Sequence, residues 1–253
     1  MQADKTFYER LHEASGAYGR NVYDLDALTA RPAFRRWLKQ NSQELRILDI
    51  GCGKGQFLSD LTGILRSRFQ ARVGRIAVVD LVKLENSLLD KISPTPEFFQ
   101  QSVDGQALPF PDGSFDFISC NHVLEHVFRT EMFLREIRRI TAPGGLAVIS
   151  VPNTAAWMNR IAFLFSGQPL GSEVGTESTV YGFWPPFLQK KLEAFEPSGH
   201  IRDFTPRSLR DLTTACGLNF AGWWAQNGGL IPTWMRNIGI LLEPGQLRPP
   251  RTK

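Results

Sequence analysis

The chain has 253 residues, 42% of them hydrophobic and 21% charged, with 29 Lys+Arg against 25 Asp+Glu for a net charge of +4. This composition suits one large globular domain. It excludes a disordered chain and a disulfide scaffold, because Cys52, Cys120 and Cys216 are too few and too far apart for a framework or a zinc pattern.

No apolar run approaches the roughly 18 residues of a spanning helix, and the N-terminal MQADKTFYER does not read as a secretion signal. A cytoplasmic protein with reduced thiols is expected. Residues 1–40 read as an N-terminal helical segment or lid. The bases Arg31, Arg35, Arg36 and Lys39, like Arg135, Arg138 and Arg139, lie on amphipathic helices rather than on one contiguous stripe, which argues against a nucleic-acid partner.

Residues 41–153 alternate strand-like and helical runs. Strands are predicted at Arg46–Ile50, Ile76–Asp80, Phe98–Val103, Phe115–Cys120 and Leu146–Val151. Between them Phe57, Leu58, Leu61, Ile64 and Leu65 recur at helical spacing, Lys83–Lys91 predicts a second helix, and Phe133, Leu134, Ile137 and Ile140 mark another, stopped by Pro143-Gly144-Gly145. Strands separated by such helices pair in parallel through right-handed crossovers. The expected fold is α/β: a Rossmann-like, doubly wound, mostly parallel sheet with helices on both faces, whose ligand sits at the carboxyl ends of the strands. Residues 154–199 form an insertion on the substrate side after strand five, 200–243 complete the core with a helix over Ser208–Cys216 and a strand over Leu218–Ala225, and 244–253 form a flexible tail.

Leu48-Asp49-Ile50-Gly51-Cys52-Gly53-Lys54-Gly55 spans the turn from strand one to helix one. Glycines there let the backbone approach a ligand closely, and the helix N-terminus offers free N–H donors. The pattern is not the nicotinamide fingerprint GxGxxG, since Gln56 stands where that motif needs glycine. Asp80 ends strand two, 29 positions after Gly51, and Asp104-Gly105 follows strand three. Three strand-end acids suit a ligand with several hydroxyl and amino donors rather than a pyrophosphate.

Leu48–Gly55, Asp80, Asp104–Asp116 (DGQALPFPDGSFD), Val123–Val127 (VLEHV) and Pro143–Asn153 (PGGLAVISVPN) together resemble the class I S-adenosylmethionine-dependent methyltransferases, in particular the small-molecule branch of ubiquinone-biosynthesis type. The resemblance implies that the loop from Gly51 through Cys52 and Gly53 to Gly55, with Asp49 before it, passes the methionine part of the cofactor. Asp80 then holds the ribose with Leu81 beside the adenine. Asp104 accepts from the adenine amino group with Gly105 at the ring edge, and Asn121 and His122 line the sulfonium end. The Gly51–Asp80 spacing is longer than usual, which a lengthened first helix and loop over Arg66–Arg75 would explain.

An acceptor hydroxyl or amine also needs a base. His200, in GHIRDFTP, is one candidate, and His122 a second; the alternative role for His200 and Arg202 is to fasten the insertion to the core, with Thr205 capping the next helix. His122–His126 also spells HxxEH, a zinc-protease pattern with Glu193 or Glu196 as an imaginable third ligand. Its position directly after strand four favours the methyltransferase segment instead, and no metal is expected. Trp157, Ile161, Leu164 and Phe165 fall on one helical face, either buried as core or lid, or forming a greasy entrance or weak membrane-surface contact.

The sequence thus predicts methyl transfer to oxygen or nitrogen of a small or lipid-linked metabolite. A nucleic-acid methyltransferase is an alternative weakened by Asn121-His122-Val123 where amino-directed enzymes carry a (D/N)PPY-like motif. A catalytically silent methyltransferase-fold interaction protein is another.

Overall fold

The structure, a computed structural model, describes residues 23–41, 44–83, 88–175, 178, 181–183, 185, 198–225 and 232–246. One sheet contains β1 Leu45–Ile50, β2 Val73–Asp80, β3 Glu97–Gln100, β4 Phe115–Asn121, β5 Thr141–Pro152, β6 Leu218–Ala225 and β7 Asn237–Pro244. Their order is β3-β2-β1-β4-β5-β7-β6. The first five strands pair in parallel, and β7 runs antiparallel to both β5 and β6. The described helices are α1 Leu25–Thr29, α2 Pro32–Gln40, α3 Gln56–Phe69, α4 Thr130–Ile140, α5 Trp157–Leu164 and α6 Pro206–Ala215.

The central strands are apolar on both sides because both faces are covered. Alternate residues divide between two cores. Ile47, Val78, Phe117 and Val148 pack with Leu28, Phe34, Trp37, Leu58 and Leu61 of α1–α3. Leu48, Val79, Ile118 and Ile149 pack with Phe133, Leu134 and Ile137 of α4 and Leu209 of α6. The helices of residues 25–40 therefore belong to the core, and Trp37 Nε1 donates to the Asp116 carbonyl at 2.9 Å. The doubly wound sheet expected from the sequence is present.

Several local expectations are corrected. In the predicted helix over Lys83–Lys91 the described part is a 3-10 turn, Leu88–Lys91; residues 84–87 lie outside the described residues. β3 ends at Gln100 rather than Val103, since its last pairing partner, Asp80, is also the last residue of β2. α4 stops at Ile140, before Pro143-Gly144-Gly145, because Thr141 is already extended. The Pro-Gly-Gly unit lies inside β5, where the register against β4 shifts between Phe115 and Phe117. The apolar run Ile238–Leu242, not assigned as a strand from the sequence, is the buried centre of β7. Of the two alternatives left open for the stripe Trp157, Ile161, Leu164 and Phe165, a buried core face and an exposed apolar one, the structure has the exposed one. His12, Glu193, Glu196, Trp184 and residues 247–253 lie outside the described residues.

α6 begins as predicted. Thr205 Oγ1 accepts from Ser208 N at 3.1 Å, Ser208 Oγ accepts from Thr205 N at 2.9 Å, and Pro206 fills the first helical turn.

Candidate functional site

Strand order reverses between β1 and β4, the switch point at whose carboxyl ends an open α/β sheet binds its ligand. Register puts Asp49 of β1 opposite Ser119 of β4, whose Oγ donates to Asp49 Oδ1 at 2.6 Å. Burial pushes the Asp49 carboxyl up to about 7; the Ser119 hydrogen bond opposes that rise and the charge of Asp80 adds to it. Asn121 stands opposite Ser150 of β5 and accepts from its hydroxyl at 2.7 Å, while Asn121 Nδ2 is buried with no partner.

After Ile50 the chain turns through Gly51, whose φ of 72° and position against Val123 leave no room for a side chain: a Cβ would lie 2.2 Å from Val123 Cγ2. Gly55, at φ 77°, starts α3 in the left-handed region that a side chain disfavours. Between them Gly53 N donates to Asp80 Oδ2 at 3.0 Å, and Cys52 Sγ lies 3.7 Å from the same oxygen. Burial, with Asp80 and Asp49 nearby, keeps the Cys52 thiol protonated above its usual range. Asp80 Oδ1 accepts from Val82 N at 3.2 Å, just past Leu81. Asp104 is differently placed. Its two oxygens accept from the backbone N–H groups of Phe128 and Arg129 at 3.2 and 3.0 Å, fastening the approach to α4, with Gly105 beside Arg129.

His122 follows Asn121 at φ 55°, a conformation uncommon outside glycine. Its Nδ1 lies 3.0 Å from Glu125 Oε1. Glu125 is fully buried and its Oε2 has no hydrogen-bond partner. Burial alone would raise its carboxyl, but the hydrogen bond from His122 and the charges of His122, His126 and His200 outweigh burial and hold it below the ordinary value. His200 Nε2 lies 3.9 Å from Glu125 Oε1, and the His126 and His200 rings are 5.0 Å apart. Burial lowers the pKa of His126.

The HxxEH string does not make a metalloprotease helix. Leu124–His126 is a 3-10 turn, His122 bonds Glu125, and His126 Nδ1 faces the Gly199 carbonyl at 3.1 Å. Among the described residues, Glu125, His126 and His200 do bring ligand-type atoms within 4.8 Å of one another, but the cluster joins only part of that string with a distant loop.

Several residues that sequence reasoning passed over hold this arrangement. Glu173 accepts from the backbone N–H groups of Ser198, Gly199 and His200 at 2.6, 2.8 and 3.2 Å, and His200 Nδ1 lies 2.8 Å from the Gly171 carbonyl. Tyr23 stacks edge-on against Phe57 at 5.1 Å; burial first, then the charges of Asp49 and Glu125, push its phenol above the usual range. No spacing signal connects these residues. Ser119 and Ser150 could have been found only from strand register.

The site fits S-adenosylmethionine. A carboxylate has about four lone-pair sites, so Asp80 keeps capacity for ribose hydroxyls beyond its two backbone bonds. The glycine loop can lie against the methionine part, Asp49 can face a cation, and buried Asn121 Nδ2 is a donor awaiting an acceptor.

The model of a family described as a methyltransferase domain matches residues 20–221. The chain is 28% identical over 207 residues to a demethylmenaquinone methyltransferase of Beutenbergia cavernae, covering 79% of this chain and 69% of that protein. It is 34% identical over 148 residues to a ubiquinone/menaquinone biosynthesis C-methyltransferase of Hahella chejuensis, covering 54% of this chain and only 57% of that one. The fold matches a crystal structure of an S-adenosylmethionine-dependent methyltransferase from Aquifex aeolicus with a TM-score of 0.54 at 14% identity, over 95% of this chain and 98% of that one. Because the family match extends over well more than half of its length, the chain belongs to the methyltransferase-domain family, as a class I S-adenosylmethionine-dependent enzyme.

Proposed function

We propose that this methyltransferase acts on an oxygen or nitrogen of a small or lipid-linked metabolite, with His200 as the base that takes the acceptor's proton. The observation that carries the reading is the orientation of His200. A carbonyl oxygen can only accept, so the 2.8 Å contact with Gly171 assigns the proton to Nδ1 and leaves the lone pair on Nε2. Glu125 Oε1, 3.9 Å from that nitrogen, stabilises the imidazolium formed when the proton arrives. Glu125 Oε2, buried without a partner, can accept a second donor of the acceptor molecule.

The bound cofactor supplies a methyl group on a sulfonium, already activated for in-line displacement. The residues of the chain align, desolvate and move the proton. Asp49 and the glycine loop hold the methionine end and Asp80 the ribose; Asp104 and Gly105 remain the proposed adenine edge through lone pairs not used by Phe128 and Arg129. His122 orients Glu125, and Glu173 fixes the His200 backbone. The names of the Beutenbergia and Hahella relatives, a demethylmenaquinone methyltransferase and a ubiquinone/menaquinone biosynthesis C-methyltransferase, support a quinone-type metabolite as the acceptor. The Hahella name points to carbon as the methylated atom and makes that atom the first thing to test.

The test is methyl transfer from isotopically labelled cofactor to a panel of hydroxylated aromatic, quinol and amine acceptors, with the labelled position read by NMR. Label on oxygen or nitrogen, and a turnover lowered about 10²–10⁴-fold by His200→Ala, is the expected outcome. Transfer to carbon overturns the acceptor atom. An unchanged rate and pH profile in the variant overturn the base.

A further inference from the structure

α5 is built inside out. Its two buried residues are Asn159 and Ala162, whereas Trp157, Met158, Ile161, Phe163 and Leu164 are exposed, Leu164 at 81%. Asn159 is held inward by three hydrogen bonds: its Nδ2 donates to the carbonyls of Asn153 and Leu170 at 3.3 and 3.2 Å, and its Oδ1 accepts from Leu170 N at 2.9 Å. The outward apolar face is thus fixed by a satisfied polar anchor. A water-facing helix has the opposite pattern.

The surroundings identify the occupant. α5 starts five residues after β5 ends, and so follows the carboxyl end of that strand, the end at which the site residues of β1 and β4 also stand. Asn153 Nδ2 donates to the carbonyls of Thr233 and Met235, drawing that segment alongside, and the Arg160 guanidinium lies 5.0 Å over the exposed Trp234 ring. Residues 154–172 and 218–242 contain no Asp or Glu, but include Arg160 and Arg236, both exposed. An apolar face with tryptophans and two exposed arginines matches an anionic lipid surface; the neighbouring acid, Asp203, is engaged by the Thr154 and Ser172 hydroxyls at 3.2 and 2.6 Å. A second copy of the chain fits less well, because a two-fold contact across this face would oppose its own cations.

We propose that α5 and the adjoining Trp234 segment dock the enzyme onto negatively charged lipid bilayers. The inference goes beyond the proposed reaction and stands whether or not the acceptor is a lipid.

The test is flotation of the full chain with phosphatidylcholine vesicles, with and without phosphatidylglycerol. Wild type is expected to float with the anionic vesicles. The paired variant Phe163→Ser/Leu164→Ser is expected to lose about tenfold or more in partitioning, as two deleted apolar contacts imply. Arg160→Glu is expected to lose the preference for phosphatidylglycerol. Circular dichroism melting shows that the variants fold, as their exposed positions allow. Wild type that stays with the soluble fraction, or variants that float equally, overturns the proposal. So does a dimer in light scattering that the paired variant dissociates, which would make a second copy the occupant.

Discussion

Asp49 is expected to set the pH dependence of cofactor binding near neutrality. Burial pushes its carboxyl up to about 7, against the pull of the Ser119 hydroxyl and with the charge of Asp80 assisting. A cationic ligand favours the ionised form. With a pKa near 7, roughly one molecule in ten has Asp49 ionised at pH 6 and roughly nine in ten at pH 8. Affinity through the ionised carboxylate therefore rises about tenfold over that interval, equivalent to about 1.4 kcal/mol. Calorimetry at pH 6, 7 and 8, in buffers of different ionisation enthalpy, should detect up to one proton released per S-adenosylmethionine bound at pH 6 and almost none at pH 8. Asp49→Asn should flatten this component and weaken binding chiefly above pH 7.

The same shift has the opposite sign for stability. A folded pKa raised above the unfolded value of about 3.9 means that the native state holds the extra proton between the two values. The contribution of Asp49 to stability is present below about pH 4 and is lost as pH rises towards 7, at up to about 1.4 kcal/mol per unit. The Asn variant should accordingly melt progressively higher relative to wild type from pH 5 to 7. A wild-type affinity flat from pH 6 to 8, or an equal slope in Asp49→Asn, would refute the argument.

Gly51→Ala combines a φ of 72° with a Cβ placed 2.2 Å from Val123 Cγ2. It should cost about 1–3 kcal/mol and abolish most cofactor affinity, read by thermal melting and calorimetry; adding Val123→Ala should recover the steric part alone. Glu125→Gln removes the buried carboxylate facing His122 and His200, and should slow turnover and lower the melting temperature near pH 7. Because Glu125 is held below the ordinary carboxylate value, its contribution is present above the unfolded pKa of about 4.3 and fades as acid titrates the folded group. The two melting temperatures should converge at low pH. Thr205→Ala removes one half of the capping box and should cost about 1 kcal/mol in urea unfolding with turnover kept.

Where the sequence was legible, the physics was local. Leu48 and Ile50 had to face away from Ile47 in any strand, and the glycines after Ile50 had to make a turn that closes on α3. The parallel sheet followed from the alternation of strands with helices, and the strand-end acids from the ends of the strands. The network around the acids did not follow. Ser119 meets Asp49, and Ser150 meets Asn121, through pairing between strands whose register no single strand encodes. Glu173 meets the His200 backbone across 27 positions, through an insertion with little periodicity of its own. β7 escaped assignment for a related reason: its apolar run has meaning only once it lies between β5 and β6.

The α5 stripe separates what periodicity determines from what it does not. Spacing of three and four residues groups Trp157, Ile161 and Leu164 on one face, yet the pattern is the same whether that face turns inward or outward. The direction is decided by Asn159, one polar residue on the opposite face. The carbonyls of Asn153 and Leu170 and the N–H of Leu170 converge on it where β5 gives way to the insertion. Turning the apolar stripe inward would strand these buried groups, at about 1–3 kcal/mol each when unsatisfied. Outward exposure of Leu164 is therefore the consequence of an inward hydrogen-bonding demand.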